Sequence, residues 1–159
     1  LPYDLAHSER ISPFRFRAPL SPHLAAAREG RTLDYAALLS FCRSNIATGD
    51  VLIEGVGGVM VPLDDTHTVL DWMRDLEVPA ILVTGAYLGT LSHTLTAAAV
   101  MRQAGIPIRA LIVSDSKECG MLEDTVASLR HYLPDIPSIF PLPRQHHWQS
   151  APSMLGLLA

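Results

Sequence analysis

Glu54 closes an apolar run, Val51-Leu52-Ile53, and is followed by Gly55, Val56, Gly57 and Gly58. A carboxylate at the end of a buried strand, beside backbone stripped of side chains, suits a hard oxygen ligand for Mg2+ shared with a nucleotide. The glycines let backbone N–H groups approach phosphate or substrate oxygens closely. The same residues also read as a turn-capping acid on an ordinary strand-to-helix loop, and an isolated E-G-x-G-G does not choose between the two.

The stretch AYLGTLSHTLTAA places Gly89 and Thr90 at the mouth of a helix running to about Gln103. Free N–H groups and the helix dipole make such an end a site for carboxylate or phosphate. Plain capping by Thr90 or Ser92 is the alternative. The seven histidines include no H-x-x-x-H or H-E-x-x-H, which argues against zinc; His23 and His93 follow helix starts and read either as rings near a pocket mouth or, like the other histidines, as structural or solvent-facing residues. Cys42 and Cys119 fit no ligand spacing and read as free thiols. No G-x-S-x-G and no G-x-x-x-x-G-K-[ST] occurs in these residues.

The elements that must position these groups follow a rhythm. VLIEG, AILVTG, RALIVSD and IPSIFPLP are short β-branched runs recurring at intervals of about 30 residues. Between them lie helical segments over 68–76, 90–103 and 120–133. Two helices precede them: one after Ser21 and Pro22 that Gly30 ends, and one from Asp34 that Gly49 ends. Strand and crossover helix in alternation predict a single α/β domain over 1–159, a mostly parallel sheet with helices on both faces. Ligands of such sheets sit beyond the carboxyl ends of the strands. Here those ends are Glu54 to Gly58, Thr84-Gly85, Ser114-Asp115 and Leu142-Pro143-Arg144.

A net charge of −4 argues against a nucleic-acid partner, and Lys117 is the only lysine. No apolar run approaches the ~18 residues that span a bilayer, and no basic leader precedes an apolar segment, so a cytoplasmic protein without a membrane partner is expected.

VLIEGVGGVMVPLDDTHTVLDW followed by PAILVTGAYLGTLSHTLTAA resembles the dethiobiotin synthetase family. ISPFRFRAPLSPHLAAAREG resembles its Pro-x-Ser-Pro-His segment, and RALIVSDS and IFPLPRQ occupy its two adenine-side strand ends. The likeness runs in order from about Ile11 to about Gln145. It implies a P-loop NTPase-like fold, a homodimer, and closure of a cyclic urea on 7,8-diaminononanoate with ATP, Mg2+ and CO2. It implies Glu54 as a Mg2+ ligand bordering the nucleotide, with Gly55, Val56 and Gly57 along ATP and Gly57 and Gly58 along the substrate. Leu88, Gly89, Thr90, Leu91 and Ser92 match the helix start that receives the substrate's distant carboxylate from the dimer partner. Ser114, Asp115, Pro143, Arg144 and Gln145 fall where adenine is held.

The departures have consequences of their own. Ser114 and Ser92 stand where the family usually has Asn, and one hydroxyl proton on a shorter side chain implies weaker base selectivity. The family's first strand, phosphate loop, catalytic lysines and an Asp ligand are expected upstream of residue 1. A chain without them would instead be a non-catalytic homologue, a dimeric module binding a carboxylated ligand or a protein.

Overall fold

The computed structural model describes residues 5–116 and 121–144. The chain divides into two compact units, Leu1–Leu76 and Glu77–Ala159.

Among its described residues the first unit holds four helices: α1 (Leu5–Ile11), α2 (Pro22–Arg28), α3 (Tyr35–Ile46) and α4 (Val69–Leu76). Pro22 occupies the first turn of α2 as expected, and Gly30, at φ +63°, follows its end. The Ser21 side chain, expected to cap α2, makes no cap bond. Asp34 does cap α3, its carboxylate accepting from the Ala37 N–H at 2.9 Å. Leu38 and Cys42, four apart, bury one face of α3; Val69, Trp72 and Leu76 bury one face of α4. The two helices are tied through Asp75, which accepts from the Tyr35 hydroxyl at 2.9 Å and, at its carbonyl, from Arg43 at 2.7 Å. Helix α1 was not anticipated from the sequence.

Residues 51–55, expected to be a buried strand, carry no strand pairing. Leu52 is 80% exposed, and Val51 and Glu54 are exposed too. An apolar run becomes a strand only where a neighbour takes up its N–H and C=O groups, and none does so among the described residues. The glycine turn after it is ordered by a different device. Val61 N–H donates to Gly58 O, Val69 N–H to Val61 O and Leu70 N–H to Val59 O, at 3.0, 2.9 and 2.7 Å. A Pro62–Thr68 bridge closes the fold-back, so the turn is braced on the start of α4.

The second unit reads β1 (Ala80–Gly85), α5 (Thr90–Gln103), β2 (Ile108–Ser114), α6 (Leu122–Tyr132) and β3 (Ile139–Leu142). The strands lie in the order β1-β2-β3, all parallel, with Leu82 opposite Leu111, Thr84 opposite Val113, and Leu111 opposite Ile139. This is the parallel α/β alternation the sequence called for; the helix cover expected on both faces lies, among the described residues, on one. Leu111, Val113 and Ile139 pack with Ala98 of α5 and with Val126 and Leu129 of α6, so both helices cover one face of the sheet. Helix α6 starts at Leu122; Gly120, expected to begin it, lies outside the described residues.

Candidate functional site

The three strands of the second unit end in line. Ala86 N–H donates to Ser114 O at 2.8 Å, and Asp115 N–H donates to Leu142 O at 2.9 Å. The end of β2 is therefore tied to both neighbours, and Gly85, Ser114, Asp115 and Leu142 share one edge as the sequence required. Ser114 and Asp115 are half-buried, Pro143 and Arg144 are exposed just past β3, and Gln145 lies outside the described residues. A Cβ at Gly85 would meet Ser116 Oγ and Tyr87 Cδ1, each at 3.0 Å, so those two side chains would have to give way to any larger residue.

Four residues, 86–89, separate β1 from α5. Its N-cap is Gly89, at φ +94°, a left-handed conformation that costs glycine little. Neither Thr90 nor Ser92 caps it, which corrects the plain-capping alternative. The Thr90 hydroxyl turns back to donate to Gly85 O at 2.6 Å, and the Thr90 N–H donates to Tyr87 O at 3.1 Å. His93 N–H makes the first helical bond, to Gly89 O at 3.2 Å. The N–H groups of Gly89, Leu91 and Ser92 have no acceptor among the described residues. They sit at the positive end of a helix 14 residues long, beside an exposed surface; Leu88 is 88% exposed. Such an end can receive a carboxylate or phosphate oxygen without a charged side chain. Of the five residues named for this mouth, Thr90 is buried and committed to internal bonds, while Leu88, Gly89 and Ser92 face outward. Sequence reasoning missed Tyr87, whose hydroxyl lies 3.2 Å from Nδ1 of His93 across the Gly89 turn.

In the first unit, Glu54 is exposed, and among the described residues its carboxylate has no ion pair or hydrogen bond. The turn after it is constrained at one glycine above all. Gly57 has φ +69°, and a Cβ there would lie 2.8 Å from Val61 Cγ2. Gly55 is closer to tolerance, with 3.3 Å to Val69 Cγ1, and Gly58 faces open space. No group of three or more His, Cys, Asp or Glu able to hold a metal occurs among the described residues. A free, solvated carboxylate still suits Mg2+, which takes one or two carboxylates and fills its octahedron with phosphate and water oxygens.

Comparisons with known proteins bear on the chain as a whole. A family model described as an AAA domain matches residues 2–150. The ATP-dependent dethiobiotin synthetase BioD of Acidiphilium cryptum (strain JF-5) is 45% identical over 144 residues, covering 87% of this chain and 65% of that protein. That of Caulobacter vibrioides (strain NA1000 / CB15N) is 44% identical over 151 residues, 93% of this chain and 68% of that protein. BioD 1 of Salmonella typhi is 40% identical over 126 residues, 78% of this chain and 55% of that protein. The chain thus spans about two-thirds or less of the length of these relatives.

Proposed function

The chain belongs to the dethiobiotin synthetase family, and from that premise we propose that it supplies the metal carboxylate, the adenine-side strand ends and the substrate-carboxylate helix of an enzyme that makes dethiobiotin. The substrates are 7,8-diaminononanoate, CO2 and ATP, in a cytoplasmic homodimer. One amine takes up CO2 and releases a proton, giving a carbamate. A carbamate oxygen attacks the γ-phosphorus, expelling ADP and leaving a mixed anhydride. The second amine attacks the carbonyl carbon, phosphate leaves, the nitrogen gives up a proton to solvent, and the cyclic urea closes.

This chain's own residues act by placement. The mouth of α5 takes the diamine's distant carboxylate from the partner protomer, its free N–H groups and dipole supplying the attraction that a lysine would supply elsewhere. The ends of β2 and β3, at Ser114, Asp115, Pro143 and Arg144, border the base, together with Gln145. The Gly55–Gly58 turn lets backbone N–H groups reach nucleotide and substrate oxygens. Glu54 would hold Mg2+, which when bound neutralises charge on the phosphate oxygens during transfer.

The observation that carries this reading is the set of unpartnered N–H groups at Gly89, Leu91 and Ser92, in a chain 44% identical to a dethiobiotin synthetase over 93% of its length. Its test is Glu54→Gln in the full-length protein. Turnover is expected to fall ~100-fold or more with the melting temperature unchanged, since loss of a transition-state electrostatic contact costs that order. Unaltered turnover at limiting Mg2+ would remove Glu54 from the metal site.

A further inference from the structure

The first turn of α5 is held by hydroxyls in place of a side-chain cap. Thr94 Oγ1 donates to Thr84 Oγ1 at 2.9 Å, Thr84 Oγ1 and Thr90 Oγ1 lie 2.9 Å apart, and Thr90 Oγ1 donates to Gly85 O at 2.6 Å. A hydroxyl has one proton to give. Thr90 spends its proton on Gly85 O and Thr94 spends its own on Thr84, so the middle bond must be Thr84 donating to Thr90. The chain is therefore directed, Thr94 to Thr84 to Thr90 to the Gly85 carbonyl, with no hydroxyl proton left over. Thr90 and Thr94 are 1% and 3% exposed, so water does not compete.

The mouth is affected in two ways. Thr90 has nothing to offer a ligand, because its hydroxyl proton and its N–H are both committed internally. The linker from β1 to α5 also gets little help from packing: Tyr87, Leu88 and Gly89 are exposed, and Ala86 is its one buried residue. An anion site made of backbone N–H groups needs those groups fixed to within ~0.5 Å. Valine at positions 84 and 94 would fill the same space without any polar group to satisfy, so the hydroxyls add direction where packing alone would not.

We infer that Thr84 and Thr94 are positioning residues: acting through Thr90, they lock the start of α5 to the end of β1 and so set the Gly89, Leu91 and Ser92 N–H groups for the substrate's carboxylate. The inference rests on the α5 mouth being the carboxylate site of the proposed function.

The experiment measures kcat and KM on the full-length protein for the diamine and for its methyl ester, in wild type, Thr94→Val, Thr84→Val and Thr94→Ser. Wild type is expected to prefer the free acid. Thr94→Val should raise the KM for the acid about fivefold to tenfold, the scale of one buried neutral hydrogen bond, with the KM for ATP unchanged and the preference over the ester shrunken by the same factor. Thr94→Ser, which keeps the hydroxyl, should restore the wild-type KM. If Thr94→Val does not fold, Thr84→Val carries the same expectation. A lowered melting temperature with the acid-over-ester preference intact in every valine variant overturns the positioning role and leaves the mouth standing. Equal KM values for acid and ester in wild type overturn both.

Discussion

Tyr35 lies flat on His67, ring centroids 3.8 Å apart and planes within 4° of parallel. Each ring is also pinned by a carboxylate: the Tyr35 hydroxyl donates to Asp75 at 2.9 Å, and His67 Nδ1 sits 2.9 Å from Asp64. Burial and the bond to Asp75 both push the Tyr35 hydroxyl well above its ordinary pKa, so it stays a donor throughout the accessible range. Tyr35→Phe removes one half-buried hydrogen bond joining α3 to α4 and is expected to cost about 1 kcal/mol in a urea unfolding series, with the slope unchanged.

Asp64 gives the first unit a pH signature. Burial acts to raise its pKa, but the Thr66 N–H, the His67 ring, the His67 N–H and the Thr66 hydroxyl together outweigh that and bring it down to about 2. A carboxylate with a depressed folded pKa contributes stability that is present above its unfolded value of ~3.9 and is lost as pH falls toward 2. Melting temperature should therefore drop between pH 4 and pH 2, and Asp64→Asn should flatten that part of the profile while lowering the plateau above it.

Gly57 and Gly58 are neighbours with opposite tolerances. Gly57→Ala meets both a left-handed backbone and a side chain 2.8 Å away, while Gly58→Ala meets open space. The first should cost about 1–3 kcal/mol and the second less than about 0.5 kcal/mol, read as urea midpoints at equal slope.

Glu77 is the one non-glycine residue at positive φ, +57°, among the described residues, directly after α4. Glu77→Gly relieves that strain and should raise stability by up to about 1 kcal/mol, a gain visible as a higher melting temperature.

Leu129 is fully buried between α6 and the sheet. Leu129→Ala should destabilise by about 2–5 kcal/mol, since the helix can close the cavity only in part.

Much of the fold was legible because the runs that became β1, β2 and β3 are bounded by Gly, Pro or Asp and separated by helix-length segments. The run at 51–54 has the same composition and made no strand, because pairing is decided by neighbours and not by the run itself. The α5 mouth was legible from Gly89 and the apolar helix after it. Its locking hydroxyls were not: Thr84 is ordinary in a strand, and Thr90 and Thr94 share a helix face without revealing what that face meets. Only the return of the helix onto its own strand brings the three together. Tyr87 was overlooked for a similar reason, since its partner His93 lies six residues on, across a turn whose hand depends on Gly89.

The most direct measurement is product analysis of the full-length protein given 7,8-diaminononanoate, bicarbonate, ATP and Mg2+. Dethiobiotin formed one for one with ADP is the predicted result. ADP without dethiobiotin, or neither product from a folded protein, would contradict the account and favour a homologue that binds a carboxylated ligand without turning it over.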